Sequence, residues 1–225
     1  MTKEQVQELR KIPVSPEQEK AVTSELAKYF TQTENTLGIT LESLRTGMGA
    51  YYHGKGGMGK STITKAILNF LKIPFIEVSI KGGLEQAFNI KPPNVTDAEL
   101  KEFFLTKTFA KLIGPNAPKV VIISEMLDAD MNIIEDLKDV MESGFYPGLP
   151  AGQGGSPGDI KCLFLATGNI SPEQVDTIYA DSPKYDTVKA ALRRFPFKPA
   201  VDWKDTSTDA FKKQLKLYNL RNEVI

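Results

Sequence analysis

Gly54-Lys55-Gly56-Gly57-Met58-Gly59-Lys60-Ser61-Thr62 is the stretch on which the reading of this chain turns. Its first eight residues fit the phosphate-binding pattern of glycine, four residues, then glycine-lysine-serine. Such a loop wraps consecutive backbone N–H groups around a polyphosphate, and the helix that starts behind it adds positive potential. In this pattern Lys60 reaches the β- and γ-phosphates and the Ser61 hydroxyl meets Mg²⁺. The implied ligand is ATP or GTP.

The surroundings supply the setting that the motif needs. Met48-Gly-Ala-Tyr-Tyr-His53 reads as a short buried strand. After the loop, Ile63, Ala66, Ile67, Phe70 and Leu71 recur at i, i+3, i+4, i+7 and i+8, one face of a helix. Strand, glycine loop and helix are therefore expected in that order.

Working outward, Ser15-Pro16-Glu17-Gln18 is a capping box with proline at the first helical position. Ala21, Val22, Leu26 and Phe30 continue as a helical face until polar Thr31–Asn35, so residues 1–46 read as an N-terminal helical flank. Beyond the loop helix, Phe75-Ile-Glu-Val-Ser-Ile80 is a second strand. Thr96-Asp-Ala-Glu99 caps a helix carrying Leu100, Phe103, Phe104, Ala110 and Ile113. Val120-Val-Ile-Ile123 is a continuous β-branched run, the mark of a strand covered on both faces. A helix with Ile133, Ile134, Leu137, Val140 and Met141 on one side follows. Gly144–Gly158, rich in glycine and proline, reads as a loop or hairpin presenting Phe145 and Tyr146. Cys162–Thr167 is another buried strand, and Ser171-Pro-Glu-Gln174 repeats the capping device. A last helix is expected near Thr208–Arg221. Alternating strands and helices predict an α/β fold with a mostly parallel sheet.

Composition narrows the function. The 225 residues carry 28 Lys+Arg against 28 Asp+Glu, so no global basic field points to nonspecific nucleic-acid binding. A single cysteine, Cys162, forms no internal disulfide and suits a reducing cytoplasm. It sits in an apolar run, which favours a buried structural thiol over a nucleophile. The lone histidine, His53, does not suggest a histidine metal site. No transmembrane-length apolar stretch or signal peptide is evident, so no membrane partner is expected.

Hydrolysis needs more than a phosphate cradle: held Mg²⁺, an oriented water and positive charge on the γ-phosphate. Glu125 closes a buried strand and falls at the carboxyl edge of the sheet, where α/β folds bind ligands. It is the candidate for orienting water, against a plain solvated acid. Asn169, after Leu165-Ala-Thr-Gly168, is the candidate for the γ-phosphate or the same water, against a turn-forming Gly-Asn pair. Arg193 and Arg194, beside Phe195, are candidates for a guanidinium that reaches a neighbour's nucleotide, against a surface pair.

In this order, the segments resemble the AAA+ ATPases, most closely the MoxR-like group. The likeness covers roughly residues 47–200. Tyr51–Ser61 resembles strand one with Walker A, Val120–Glu125 Walker B, and Leu165–Asn169 sensor 1. Ala191-Leu-Arg-Arg-Phe195 is similar to the segment that bears the arginine finger. The resemblance implies a P-loop NTPase αβα sandwich of three layers with a five-stranded, mostly parallel sheet over residues 47–203. It implies ATP and Mg²⁺ at Gly54–Thr62, an oligomeric ring, hexameric, with Arg193 or Arg194 acting in trans, and remodelling of a protein or nucleic-acid partner. The family's pore loop would fall at Gly82-Gly83-Leu84, and Gly144–Gly158 would be the hairpin that MoxR-like proteins insert before the sensor strand. Two departures stand out. Walker B carries Ser124-Glu125 where the family has Asp-Glu, so Ser124 supports Mg²⁺ without charge and turnover is in question. Thirty residues follow Phe195, too few for the family's helical lid. No sensor 2 arginine is assigned, and residues 204–225 are expected to form a reduced lid or linker.

Three other readings stay open. Lys55-Gly-Gly-Met-Gly-Lys60-Ser-Thr62 also matches the ParA/MinD variant loop, in which a lysine such as Lys55 crosses a dimer interface, but no Asp-x-x-Gly switch segment follows. A compact superfamily 3-like viral or phage helicase shares a P-loop, strand-end acids and a later asparagine. A slow nucleotide-binding switch would follow if Ser124 disables turnover.

Overall fold

The computed structural model describes residues 2–30, 34–79, 112–113, 117–128, 131–146 and 158–201. The expected capping box at Thr96–Glu99, the helix after it, the pore-loop segment at Gly82–Leu84 and the helix near Thr208–Arg221 lie outside the described residues.

Three helices come first: α1 (Lys3–Arg10), α2 (Pro16–Leu26) and α3 (Glu34–Thr46). Strand β1 (Ala50–His53) leads through the glycine loop into α4 (Lys60–Phe70), followed by β2 (Phe75–Ser79). Strand β3 (Val120–Ser124) precedes a short 3₁₀ turn at Met126–Asp128 and α5 (Met131–Ser143). The short strands β4 (Phe145–Tyr146) and β5 (Gly158–Asp159) pair antiparallel as the expected hairpin. Strand β6 (Leu163–Gly168), α6 (Pro172–Ile178) and α7 (Tyr185–Leu192) complete the chain order.

The main sheet is parallel, in the order β1-β6-β3-β2. Side chains alternate between its faces because successive Cβ atoms of a strand point opposite ways. Tyr51, Val121, Ile123, Phe164 and Ala166 pack with Ile134, Leu137 and Val140 of α5 and Val188 and Ala191 of α7. Ala50, Tyr52, Val120, Ile122, Leu163 and Leu165 pack on the other face with residues of α2, α3 and α4. Both faces are covered, which explains the unbroken apolar runs of β3 and β6. The result is the expected three-layer αβα sandwich.

A five-stranded sheet was expected, and the main sheet has four regular strands among the described residues. The segment after α7 takes the fifth position, beyond β1, through single parallel bridges at Phe197 and Ala200. Proline explains why it is no full strand. Pro196 and Pro199 carry no N–H, so the segment serves β1 mainly as an acceptor. Tyr51 and His53 donate to the carbonyls of Phe197 (2.8 Å) and Pro199 (3.1 Å), and Val201 donates back to His53 (2.7 Å).

The capping boxes at Ser15 and Ser171 form as read. Two expected core residues do not take core positions: Ala21 is exposed, and Phe70 is 39% exposed while Leu68 is buried instead. The inward stripe of α4 runs Ile63, Thr64, Ile67, Leu68, Leu71, rotated from the expected one. Helix α3, hidden between polar residues in the sequence, buries Leu37, Leu41 and Leu44 against the sheet. Its Thr40 donates to the Thr36 carbonyl (2.7 Å) and lies 2.7 Å from the buried Tyr52 hydroxyl, which satisfies both polar groups. Among the described residues no helix is long and apolar enough to cross a membrane.

Candidate functional site

Parallel strands bring their carboxyl ends to one edge, and the candidate residues gather there. The loop 54–59 leaves β1, Ser124 and Glu125 end β3, and Asn169 follows β6. Gly54, Gly57 and Gly59 take φ values of 147°, 81° and 78°, which only glycine adopts without strain. At Gly54 a Cβ would lie 2.2 Å from the Val201 carbonyl oxygen, so the first glycine also lets the fifth sheet position close against the loop. Gly59 caps α4 without a side-chain bond, so the N–H groups of the first helical turn face the loop.

Lys60 is only 6% exposed. Its Nζ donates to the carbonyls of Gly54 (2.7 Å) and Lys55 (3.0 Å) and to Asn169 Oδ1 (3.0 Å), using all three ammonium protons. Burial lowers its pKa, while the nearby Glu125 charge acts in the opposite sense. Asn169 turns its amide the other way and donates from Nδ2 to Glu125 Oε2 at 2.8 Å. Reversing that amide would set N–H against ammonium and C=O against carboxylate, so its orientation is fixed by its neighbours. Lys60, Asn169 and Glu125 thus form one hydrogen-bonded chain across the tips of three strands. Glu125 holds a positive φ of 55°, a left-handed conformation that is costly for a non-glycine residue and characteristic of functional turns. Its backbone N–H donates to Thr167 Oγ1 (3.4 Å), which ties the turn to β6.

Ser61 and Ser124 also meet: their hydroxyls lie 3.5 Å apart. Ser124 in turn donates to Glu77 Oε1 at 2.6 Å, and Lys65 pairs with Glu77 Oε2 at 2.7 Å. Sequence reading passed over Glu77. The available signal was a lone charge inside an otherwise apolar strand, but its partner Ser124 is distant in sequence and only the β2–β3 register joins them. Hydroxyl and carboxylate oxygens are the hard donors that Mg²⁺ accepts, so this corner fits the ion. Among the described residues no three His, Cys, Asp or Glu side chains cluster, so an ion here would depend on phosphate and water for most of its shell.

Lys55, Gly56 and Gly57 are exposed on the loop, and Met58, Ser61 and Thr62 are half-buried. Arg193 and Arg194 stand apart from this chain of bonds. They line a separate cavity of about 330 Å³ with Lys3, Arg10, Met141 and Glu142. Arg194 donates to the Ala190 carbonyl (2.6 Å) and pairs with Glu142, while Arg193 is exposed at the end of α7. Cys162 is buried, as read, and its thiol is pushed up to about 11 by that burial.

Among solved structures the chain is similar to Hsp104, an AAA+ ATPase, in a closed-state cryo-electron microscopy reconstruction with ATPγS and FITC-casein. The TM-score is 0.53 at 14% identity, and the match covers 93% of this chain. At this identity the likeness is one of fold, an α/β sandwich on a parallel sheet, similar to the core of an AAA+ P-loop ATPase. The match spans only 38% of the Hsp104 chain. Neither a protein-family model nor a curated protein matches the sequence. As many as 649 solved chains match this structure, so the fold alone selects no substrate, and function has to be argued from the site.

Proposed function

We propose that the chain is an ATPase of AAA+ type, nearest the MoxR-like group, that hydrolyses ATP between subunits of a hexameric ring to remodel a protein partner. The observation that carries this reading is the Lys60–Asn169–Glu125 chain at the mouth of the glycine loop. A phosphate-binding lysine, a sensing amide and a strand-end carboxylate share one hydrogen-bonded edge, as γ-phosphoryl transfer to water requires.

The loop amides from Gly54 to Thr62 receive the phosphates, and Lys60 exchanges its loop carbonyls for phosphate oxygens. Asn169, freed from Lys60, contacts the γ-phosphate and keeps Glu125 in place. Glu125 orients water and accepts its proton. Ser61 would hold Mg²⁺ with Ser124 in support, and the ion would supply positive charge to the phosphates. Arg193 or Arg194 comes from the neighbouring subunit, a view supported by their separation from the Lys60–Asn169–Glu125 chain of their own subunit. Polypeptide is favoured over nucleic acid as substrate because the net charge is zero, which gives no global basic field for a phosphate backbone. The buried lone thiol fits a reducing cytoplasm.

Turnover of Glu125→Gln tests the reading. Glutamine keeps an oxygen for the Asn169 amide, so nucleotide affinity should hold while the rate falls about 10²–10⁴-fold, the worth of a general base. A variant as fast as the parent would remove Glu125 from the mechanism. Arg193→Ala and Arg194→Ala should likewise keep binding, with turnover lost in whichever supplies the finger. Microscopy with a slowly hydrolysed ATP analogue should show rings. A nucleotide-bridged dimer would favour the ParA/MinD arrangement instead.

A further inference from the structure

Serine at position 124 leaves the metal side of the site one negative charge short of the AAA+ pattern. The neighbouring strand supplies a carboxylate at that place. Parallel pairing of Ser79 with Ser124 and Glu77 with Ile122 sets Glu77 one side-chain reach behind the strand tip. Its Oε1 accepts the Ser124 hydroxyl at 2.6 Å, and that hydroxyl lies 3.5 Å from Ser61 Oγ. Its Oε2 is held at 2.7 Å by Lys65, one turn into the helix that begins at Lys60. The carboxylate is thus fixed at both oxygens, one by a hydroxyl and one by an ammonium.

We propose that Glu77 is the anionic anchor of the magnesium ion, acting through Ser124 and the water shell in place of the missing strand-end aspartate. It is a positioning residue. Mg²⁺ keeps several waters and commonly takes one or two carboxylates besides phosphate oxygens, and Glu77 is the carboxylate in contact with Ser124. The role of Ser124 follows. Its O–H donates a hydrogen bond to Glu77, so its oxygen lone pairs would be left for the ion's water shell. The inference rests on the proposed nucleotide site.

The test is a Mg²⁺ titration of the chain with ATPγS, read as nucleotide affinity by calorimetry and, with Mn²⁺ in its place, as bound metal by electron paramagnetic resonance. Glu77→Gln should raise the half-saturating metal concentration about tenfold, in the range found for groups that support a metal's ligands, and leave affinity in EDTA unchanged. Adding Ser124→Asp should bring the half-saturation of Glu77→Gln back toward the parent, which a merely structural role for Glu77 would not do. If Glu77→Gln unfolds, Glu77→Asp, which keeps the charge but not the reach, should show the same shift at smaller size. Parent-like metal response in the Glu77 variants, or no rescue by Ser124→Asp, overturns the proposal while the nucleotide site stands. A parent chain that fails to bind ATPγS at all overturns both.

Discussion

Replacing Lys60 with alanine separates what the lysine does for the loop from what it does for a ligand. In the free chain its Nζ is fully used, by two loop carbonyls and Asn169 at 2.7–3.0 Å. Removing it costs those bonds but also relieves a buried charge, and the two effects oppose each other. The Gly54 and Lys55 carbonyls sit in a loop that water reaches, so the fold should keep its melting temperature within a few degrees. Nucleotide binding has no such offset. A hydrogen bond to a charged group contributes roughly 1.5–3 kcal/mol, and about 2 kcal/mol for one lysine–phosphate bond corresponds to ~30-fold in affinity. If the ammonium spans both β- and γ-phosphates, the loss is larger for ATP than for ADP. Fluorescent-nucleotide titration of parent and Lys60→Ala measures both numbers. A folded variant that binds ATP within about threefold of the parent would refute the argument, leaving Lys60 a clip between the loop and Asn169.

Other perturbations probe the frame around the site. Cys162, with its pKa raised from 9.0 to about 11 by burial, should react with a thiol reagent at pH 8 at least ~100-fold more slowly in the native chain than in urea; comparable rates would contradict its placement. Glu142 is held below the ordinary carboxylate value by bonds from Lys3 and Arg194. A depressed folded value means that its contribution is present above the unfolded pKa of about 4.3 and lost as pH falls through the lower folded one. Glu142→Gln should therefore lower the urea midpoint at pH 7 and lower it progressively less as the pH falls below about 4.3, and a loss that does not change with pH would refute the pairing. Lys72 ends α4 with φ of 56°, a left-handed residue whose neighbour Ile73 donates back to Leu68 (2.9 Å). Lys72→Gly should stabilise the fold by about 0.5–1 kcal/mol, as relief of strain exceeds the added chain entropy. A drop in stability would mean that the conformation is unstrained.

The sequence was most readable where local chemistry dictates structure. Serine-proline-glutamate-glutamine cannot easily be anything but a helix start, and Val120–Ile123 needs cover on both faces. The glycine spacing of the loop named its own conformation, and Glu125 and Asn169 stood out because each ends a buried strand. What escaped depends on partners distant in the chain. Helix α3 hid because Thr36, Thr40 and Ser43 interrupt its leucines, and the burial of Thr40 makes sense only beside the Tyr52 hydroxyl. The stripe of α4 was misplaced because Phe70 and Leu68 satisfy a helical period almost equally well. The fifth sheet position was unreadable as a strand because prolines break its donor pattern. Glu77 was invisible as a site residue because its meaning comes from strand register. Arg194 showed its cation but not Glu142, the partner that holds it within its own subunit.

The central claim is that the loop from Gly54 to Thr62 grips a polyphosphate, with Asn169 and Glu125 meeting at its far end. Calorimetric titration of the chain with magnesium ATPγS tests it most directly. The account predicts saturable binding with one nucleotide per chain, displaced by ADP and weakened by Lys60→Ala. A titration without binding heat, confirmed by failure to retain labelled nucleotide at equilibrium, would contradict it.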